Sequence, residues 1–296
     1  SQVSPVVTFA PPNLPESIVI DKQGNIYVSM FVTGELRKIA FSGAQSTLAV
    51  LGSGGFPRRL LGLAVDAEGN VYAALNDVPA TKGVWRVSPA GAVTQIASLP
   101  GAIVLNGLAF DKTGNLYVSD SITGTIYRIP RGGSVAAWAS GDPLLLGDAT
   151  ACGGFPFGPL GANGLAFNKA GDLLVLNTSQ GSVVRVPVMP DGSAAAAQPF
   201  VGPTCDLWGA DGPAVDNLDN LYVAVNIQGK IVRISPSGVI TTLAAAPASP
   251  LYFPSAIAFE TGLGLRKQVF ITNFAAPGGT PGIVTMNVGV PGRPLP

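Results

Sequence analysis

Three features of this sequence predict an all-β protein built as a six-bladed β-propeller with four-stranded blades. A short phrase recurs six times, its copies are spaced in the mid-forties, and the N-terminus supplies a strand that the last copy lacks. The phrase runs from a small residue through an apolar stretch to an acidic or amide residue, at 17–21, 62–66, 107–111, 164–168, 212–216 and 256–260. Measured at the last residue, successive copies lie 45, 45, 57, 48 and 44 residues apart. A repeat of that length, one supersecondary unit per copy, is the pattern of a propeller blade. A single propeller domain over residues 1–296 is expected.

Each phrase makes an innermost strand. A turn follows, as in Lys22-Gln23-Gly24-Asn25, and then a second strand such as Ile26-Tyr27-Val28-Ser29. Gly and Asn supply the positive backbone dihedrals of the hairpin, and aromatic and β-branched residues favour the strand. The residues that close the phrases (Asp21, Asp66, Asp111, Asp216 and Glu260) read as turn formers at these hairpins rather than as catalytic groups. Third strands follow at 35–39, 83–87, 125–129, 182–186 and 230–234, where a central Arg alternates with apolar neighbours and marks one wet face. Fourth strands such as 93–97 and 239–243 complete the blades. The sixth repeat ends after its third strand, at 282–288, while residues 3–9 precede the first phrase as a fourth strand precedes each later one. The N-terminal strand is therefore expected to complete the last blade and close the ring, which removes an exposed sheet edge.

Seventeen basic and seventeen acidic residues cancel, and no basic stripe or charge run occurs, so no nucleic-acid partner is expected. No apolar run reaches membrane-spanning length, so no membrane insertion is expected. The N-terminus lacks a signal-peptide pattern, as in a mature secreted chain or a trimmed one. Cys152 and Cys205 both fall in loops leading into adjacent blades on one face. A disulfide between them is plausible and would suit a secreted or periplasmic protein, and two free thiols are the alternative. No apolar stripe demands a subunit interface, and the oligomeric state is unknown from the sequence.

One column of the repeat carries chemistry. The residue before each phrase is Glu16, Leu61, Asn106, Asn163, Asp211 or Ser255. Four of the six are oxygen donors, and rotational repetition aims equivalent residues at one axis. Two carboxylates and two amides converging there need compensation, since buried like charges repel. All-oxygen donors suit a hard divalent cation, Ca²⁺ first, with Zn²⁺, Mg²⁺ or Mn²⁺ as alternatives. Leu61 and Ser255 interrupt the ring and are expected to leave open sides. A metal-free, hydrogen-bonded Asn/Asp plug is the structural alternative.

These residues resemble the gluconolactonase/regucalcin (senescence marker protein) family of six-bladed propellers. Glu16-Ser17 is similar to the family's Glu-Gly/Ser-Pro motif, which supplies a metal ligand. Asn163-Gly164-Leu165 resembles its Asn-Gly-Leu motif, with Asn163 again a ligand. Asp211-Gly212 resembles its Asp-Gly motif, whose Asp binds metal and acts as general base. Asn106 holds the third-blade Asn position, which contacts metal and substrate. The resemblance thus implies metal ligands Glu16, Asn106, Asn163 and Asp211, with Asp211 and Asn106 catalytic. Departures are visible too. Where the family's sugar-lactone enzymes often carry Arg two residues before the third-blade Asn, this chain has Val104, while Arg58 and Arg59 enter the second blade. Phe56, Phe155, Phe157, Trp208, Tyr252 and Phe253 occupy the loops leading to the inner strands; they point to a lactone or ester more apolar than a sugar acid, with ordinary loop packing as the alternative.

Histidine is absent, which excludes a Ser-His-Asp triad, a His-ligated zinc site and any reaction on a His base. Metal-assisted hydrolysis of a small-molecule lactone or ester remains, with Asp211 taking the proton. Asp120, Asn177, Asn226 and Asn273, at the ends of second strands, are candidate substrate contacts with Arg59 and Trp208. Asp120 needs a partner, since it ends a strand that otherwise packs apolar residues. The competing function is a non-catalytic binding propeller with a structural metal or hydrogen-bonded plug. The four-residue polar column is the feature that separates the two, because a pure scaffold does not require it.

Overall fold

The computed structural model describes residues 2–262, 266–276 and 278–295. Six antiparallel sheets of four strands stand around one axis, each inner strand packing against the next and the last against the first. The inner strands are Pro15–Ile20, Leu60–Val65, Leu105–Phe110, Ala162–Phe167, Ala210–Val215 and Pro254–Phe259. Among the described residues the helical elements are three single turns of 3₁₀ helix. The last blade is assembled from both ends of the chain, as expected. Ser4–Thr8 pairs with Gly282–Asn287, placing Ser4 opposite Thr285 and Thr8 opposite Gly282.

The core lies between blades rather than within them, because each sheet buries both faces against its neighbours. Leu60, Leu63, Val71 and Leu75 of the second blade pack with Tyr27, Leu36 and Leu51 of the first. Ile18, Val28 and Met30 pack with Ala256 and Ile283 and so join the first blade to the last. At the outer end of the inner hairpin, Asp21 accepts from the Gln23 and Asn25 amides at 2.9 Å and from the Tyr27 hydroxyl at 2.9 Å. Asp66, Asp111 and Asp216 repeat the arrangement with Tyr72, Tyr117 and Tyr222. The phrase-ending acids are therefore structural, and burial beside these carboxylates pushes the Tyr72 hydroxyl up to about 12.

Two devices set the geometry at the axis. Each inner strand slips register at the column residue, as between Leu105 and Leu108 or Ala162 and Leu165. Such a bulge re-aims the side chain it carries. The glycine that follows the column residue permits close approach: a Cβ on Gly107 would lie 2.3 Å from the Asn163 carbonyl, and one on Gly164 would lie 2.1 Å from the Asp211 carbonyl. These glycines let neighbouring inner strands crowd together at the level of the column. At the hairpin end of the channel the chain doubles back as a strap. Asp216 bridges to Gly292, Arg293 donates to the Phe167 carbonyl and pairs with Asp219, and Leu295 packs beside Val19 and Leu63.

Candidate active site

Glu16, Asn106, Asn163, Asp211 and Ser255 line one cavity of about 260 Å³ on the axis, and Arg293 and Leu295 of the strap line its other end. All five column residues are buried. Leu61, the apolar member of the column, is also buried, and Ser255 donates its hydroxyl to the Glu16 carbonyl at 2.6 Å.

A second row of side chains, one strand outward, fixes how the column points. Asn106 donates its amide to Ser121 Oγ at 3.2 Å, and Asn163 donates to Thr178 Oγ1 at 2.8 Å. Each hydroxyl spends its own proton on the next blade, Ser121 on the Ala162 carbonyl and Thr178 on the Ala210 carbonyl. A hydroxyl whose proton is used in this way can only accept from the amide, so the NH₂ groups of Asn106 and Asn163 are held on the side of these hydroxyls, and that of Asn163 also reaches Asp211. Their carbonyl oxygens remain as acceptors. Asn226 holds the same place in the fifth blade: its amide donates to Asp211 Oδ2 at 2.9 Å, and its oxygen accepts from the Ile227 amide. The separation is 15 residues in all three cases. In the first blade that position is Phe31, which offers no polar atom to Glu16. Glu16 Oε2 is accordingly buried with no hydrogen-bond partner.

Burial holds the Glu16 carboxyl well above the usual carboxylate range, and the negative charge of Asp211 adds to the effect. Burial also pushes Asp211 up to about 7, against hydrogen bonds from the Asn226 and Asn163 amides. Two facing carboxyls, one with an orphaned oxygen, and two amide oxygens with fixed orientation form a donor set that could hold a hard divalent cation. Among the described residues no three His, Cys, Asp or Glu side chains cluster as metal ligands, so an ion here depends on the asparagine oxygens.

The remaining candidates separate. Asn226 touches the column. Asp120, Asn177 and Asn273 sit one residue earlier in their strands and turn into the loops. Asp120 accepts from the Ile103, Val104 and Ile122 amides, and Asn177 donates to the Leu144 and Leu146 carbonyls. Asn273 donates to the Pro250 carbonyl and accepts from the Tyr252 amide. These side chains brace the loops that lead into the inner strands, and their hydrogen-bonding groups are engaged there. Arg59 is exposed in the second-blade loop, with a φ of 52°. Trp208 is half-buried against Phe155. Cys152 and Cys205 form a disulfide that joins the loops leading into the fourth and fifth blades. The column was legible from its repeat position. Ser121 and Thr178 belong to no motif of their own, and their constant spacing from the asparagines is the sequence signal that marks them.

Residues 155–274 match the family model of the SMP-30/gluconolactonase/LRE-like region. That stretch carries Asn163 and Asp211 with their supports Thr178 and Asn226, and it bears out the resemblance read from the sequence. No curated protein matches the sequence. Solved structures share the fold over nearly the whole chain. Regucalcin from Agrobacterium tumefaciens, a calcium-binding protein, aligns with a TM-score of 0.73 and 19% identity over 99% of this chain and 96% of its own. A gluconolactonase from Xanthomonas campestris aligns with a TM-score of 0.67 and 16% identity, covering 95% and 86%. A catalytically inactive histidine-to-alanine variant of virginiamycin B lyase from Staphylococcus aureus, with quinupristin, aligns with a TM-score of 0.63 and 17% identity, covering 99% and 88%.

Proposed function

We propose that the chain works as one propeller domain and is a divalent-cation-dependent hydrolase that opens a lactone or small ester at the axis of the ring. The observation that carries this reading is that buried Glu16 and Asp211 line one cavity with two asparagines whose amides are held by Ser121 and Thr178. Glu16, Asn163 and Asp211, with Asn106, would hold the cation, Ca²⁺ being the first choice for an all-oxygen set. Bound there, it supplies a Lewis acid that polarises a carbonyl and eases deprotonation of water.

The chain's own groups do the rest. Asp211 takes a proton from the attacking water on its carboxylate, and the Asn226 amide keeps Oδ2 oriented for that transfer. Water oxygen adds to the carbonyl carbon, the ring C–O bond breaks, and the proton held by Asp211 passes to the leaving alkoxide. Asn106, with its NH₂ tied to Ser121, presents its oxygen to water or substrate. A lyase reading has less support, since the related lyase is inactive once a histidine is replaced and this chain contains none. The Cys152–Cys205 bridge supports a secreted or periplasmic location.

Metal analysis with thermal unfolding, on the wild type and on Asp211→Ala, tests the reading. One divalent ion per chain, lost in the variant together with hydrolysis of simple lactones, is the expected result. A wild-type protein that no divalent ion stabilises would overturn it.

A further inference from the structure

Six aromatic rings form a continuous run on the face where the loops enter the inner strands. Phe31 packs on Phe274 at 5.5 Å between centroids, Phe274 on Phe253 at 5.8 Å, and Phe253 on Phe157 at 5.7 Å. Phe157 then packs on Phe155, and Phe155 on Trp208, each at 5.7 Å. None of the six belongs to the clusters that hold neighbouring blades together. The ends of the run fall next to the two carboxylate residues, by strand register at one end and by sequence at the other. Phe31 takes, beside Glu16, the strand position that Ser121, Thr178 and Asn226 take beside their column residues. Trp208 lies three residues before Asp211.

Between those ends the rings rise to solvent, where Phe157 is 56% exposed. Phe253 holds a left-handed φ of 50°, a backbone state disfavoured for a bulky side chain and typical of functional loops. Trp208 Nε1 is buried without an acceptor, so an indole donor is still unmatched at the end of the run. Four of the five contacts are edge to face, so the run presents both faces and edges to a further ring, the geometry aromatic groups prefer.

We propose that this run is the specificity surface of the site and receives a flat aryl substituent on the lactone or ester. The inference rests on the hydrolase reading for the identity of the reacting group, while the preference for aryl ligands can be measured without turnover.

The test compares equilibrium binding of γ-phenyl-γ-butyrolactone and γ-butyrolactone by calorimetry on wild type, Phe157→Ala, Phe157→Tyr and Phe253→Leu, with hydrolysis followed in parallel. We expect the phenyl compound to bind wild type at least about tenfold tighter. The preference should fall below about threefold in Phe157→Ala and Phe253→Leu and return in Phe157→Tyr. Phe157 is exposed enough for its truncation to leave the fold intact, so the result does not hinge on the more enclosed Phe253. Equal binding of the two lactones, or a preference that survives Phe157→Ala, overturns the proposal. If the phenyl lactone binds selectively but is not opened, the hydrolase reading fails and the aryl surface stands. If both lactones are opened with equal affinity, the reverse holds.

Discussion

Replacing Thr178 with Val tests whether the outer row of hydroxyls fixes the column. The change keeps the branched shape and removes one oxygen. That oxygen accepts from Asn163 Nδ2 at 2.8 Å and donates to the Ala210 carbonyl at 2.7 Å, both in buried surroundings. Each lost bond removes about 0.5–1.5 kcal/mol of net stability, and an amide hydrogen left unsatisfied in the interior adds about 1–3 kcal/mol. A total loss of roughly 2–6 kcal/mol follows. The functional effect should be separate. Without its acceptor the Asn163 amide loses one of the two bonds that fix its orientation, which should weaken divalent-ion binding by about 10–100-fold, the usual cost of losing an outer partner of a ligand. Denaturant unfolding measures the first effect, and ion titration of the folded variant measures the second. Thr178→Ser, which keeps the hydroxyl, should recover most of both. If Thr178→Val unfolds within about 0.5 kcal/mol of wild type and binds ions equally well, the orienting role assigned to this row is wrong.

Three further outcomes are expected. In ion-free protein, Asp211 has a folded pKa of about 7 against about 4 when unfolded, so its contribution to stability is full below pH ~4 and is lost as pH rises towards 7; the stability difference between wild type and Asp211→Asn across that window measures it, and a pH-independent difference would contradict the burial described here. Gly164→Ala places a Cβ 2.1 Å from the Asp211 carbonyl and 2.4 Å from Pro213 Cδ, so it should destabilise by about 3 kcal/mol in denaturant unfolding, more than Gly101→Ala, whose Cβ would meet no atom within 4 Å. Removing the Cys152–Cys205 bridge frees a loop with a sequence separation of 53 residues and should cost roughly 2–4 kcal/mol, read as a lower denaturation midpoint of the double Ser variant.

The ring and its closure could be read from the sequence because both are written in a repeat: apolar alternation, turn residues and period all point to the same blade. The column could be read for the same reason, since an Asn or Asp before a recurring Gly-Leu-Ala stands out. The rows behind it could not. Asp120, Asn177, Asn226 and Asn273 look alike in sequence, yet Asn226 stands one place later than the others, in the position that Ser121 and Thr178 hold in their blades, while Val225 occupies the place of Asp120. A one-residue step along a strand reverses the face. That Asp120 needs a partner followed from its surroundings; that the partners are three backbone amides depends on the path of a loop, which no local pattern encodes. The strap at Gly292 and Arg293 likewise depends on contacts with the fourth and fifth blades, far away in sequence.

The seam in the last blade also governs the order of folding. Ser4–Thr8 has no partner in the ring until Gly282–Asn287 has been made. Until then both it and the third strand of the last blade expose open hydrogen-bonding edges, the condition that favours pairing with another chain. A contact between such distant segments is slow to form. Refolding yield should therefore fall steeply with protein concentration, and peptides that mimic residues 3–9 should compete with ring closure during refolding while leaving the folded protein untouched.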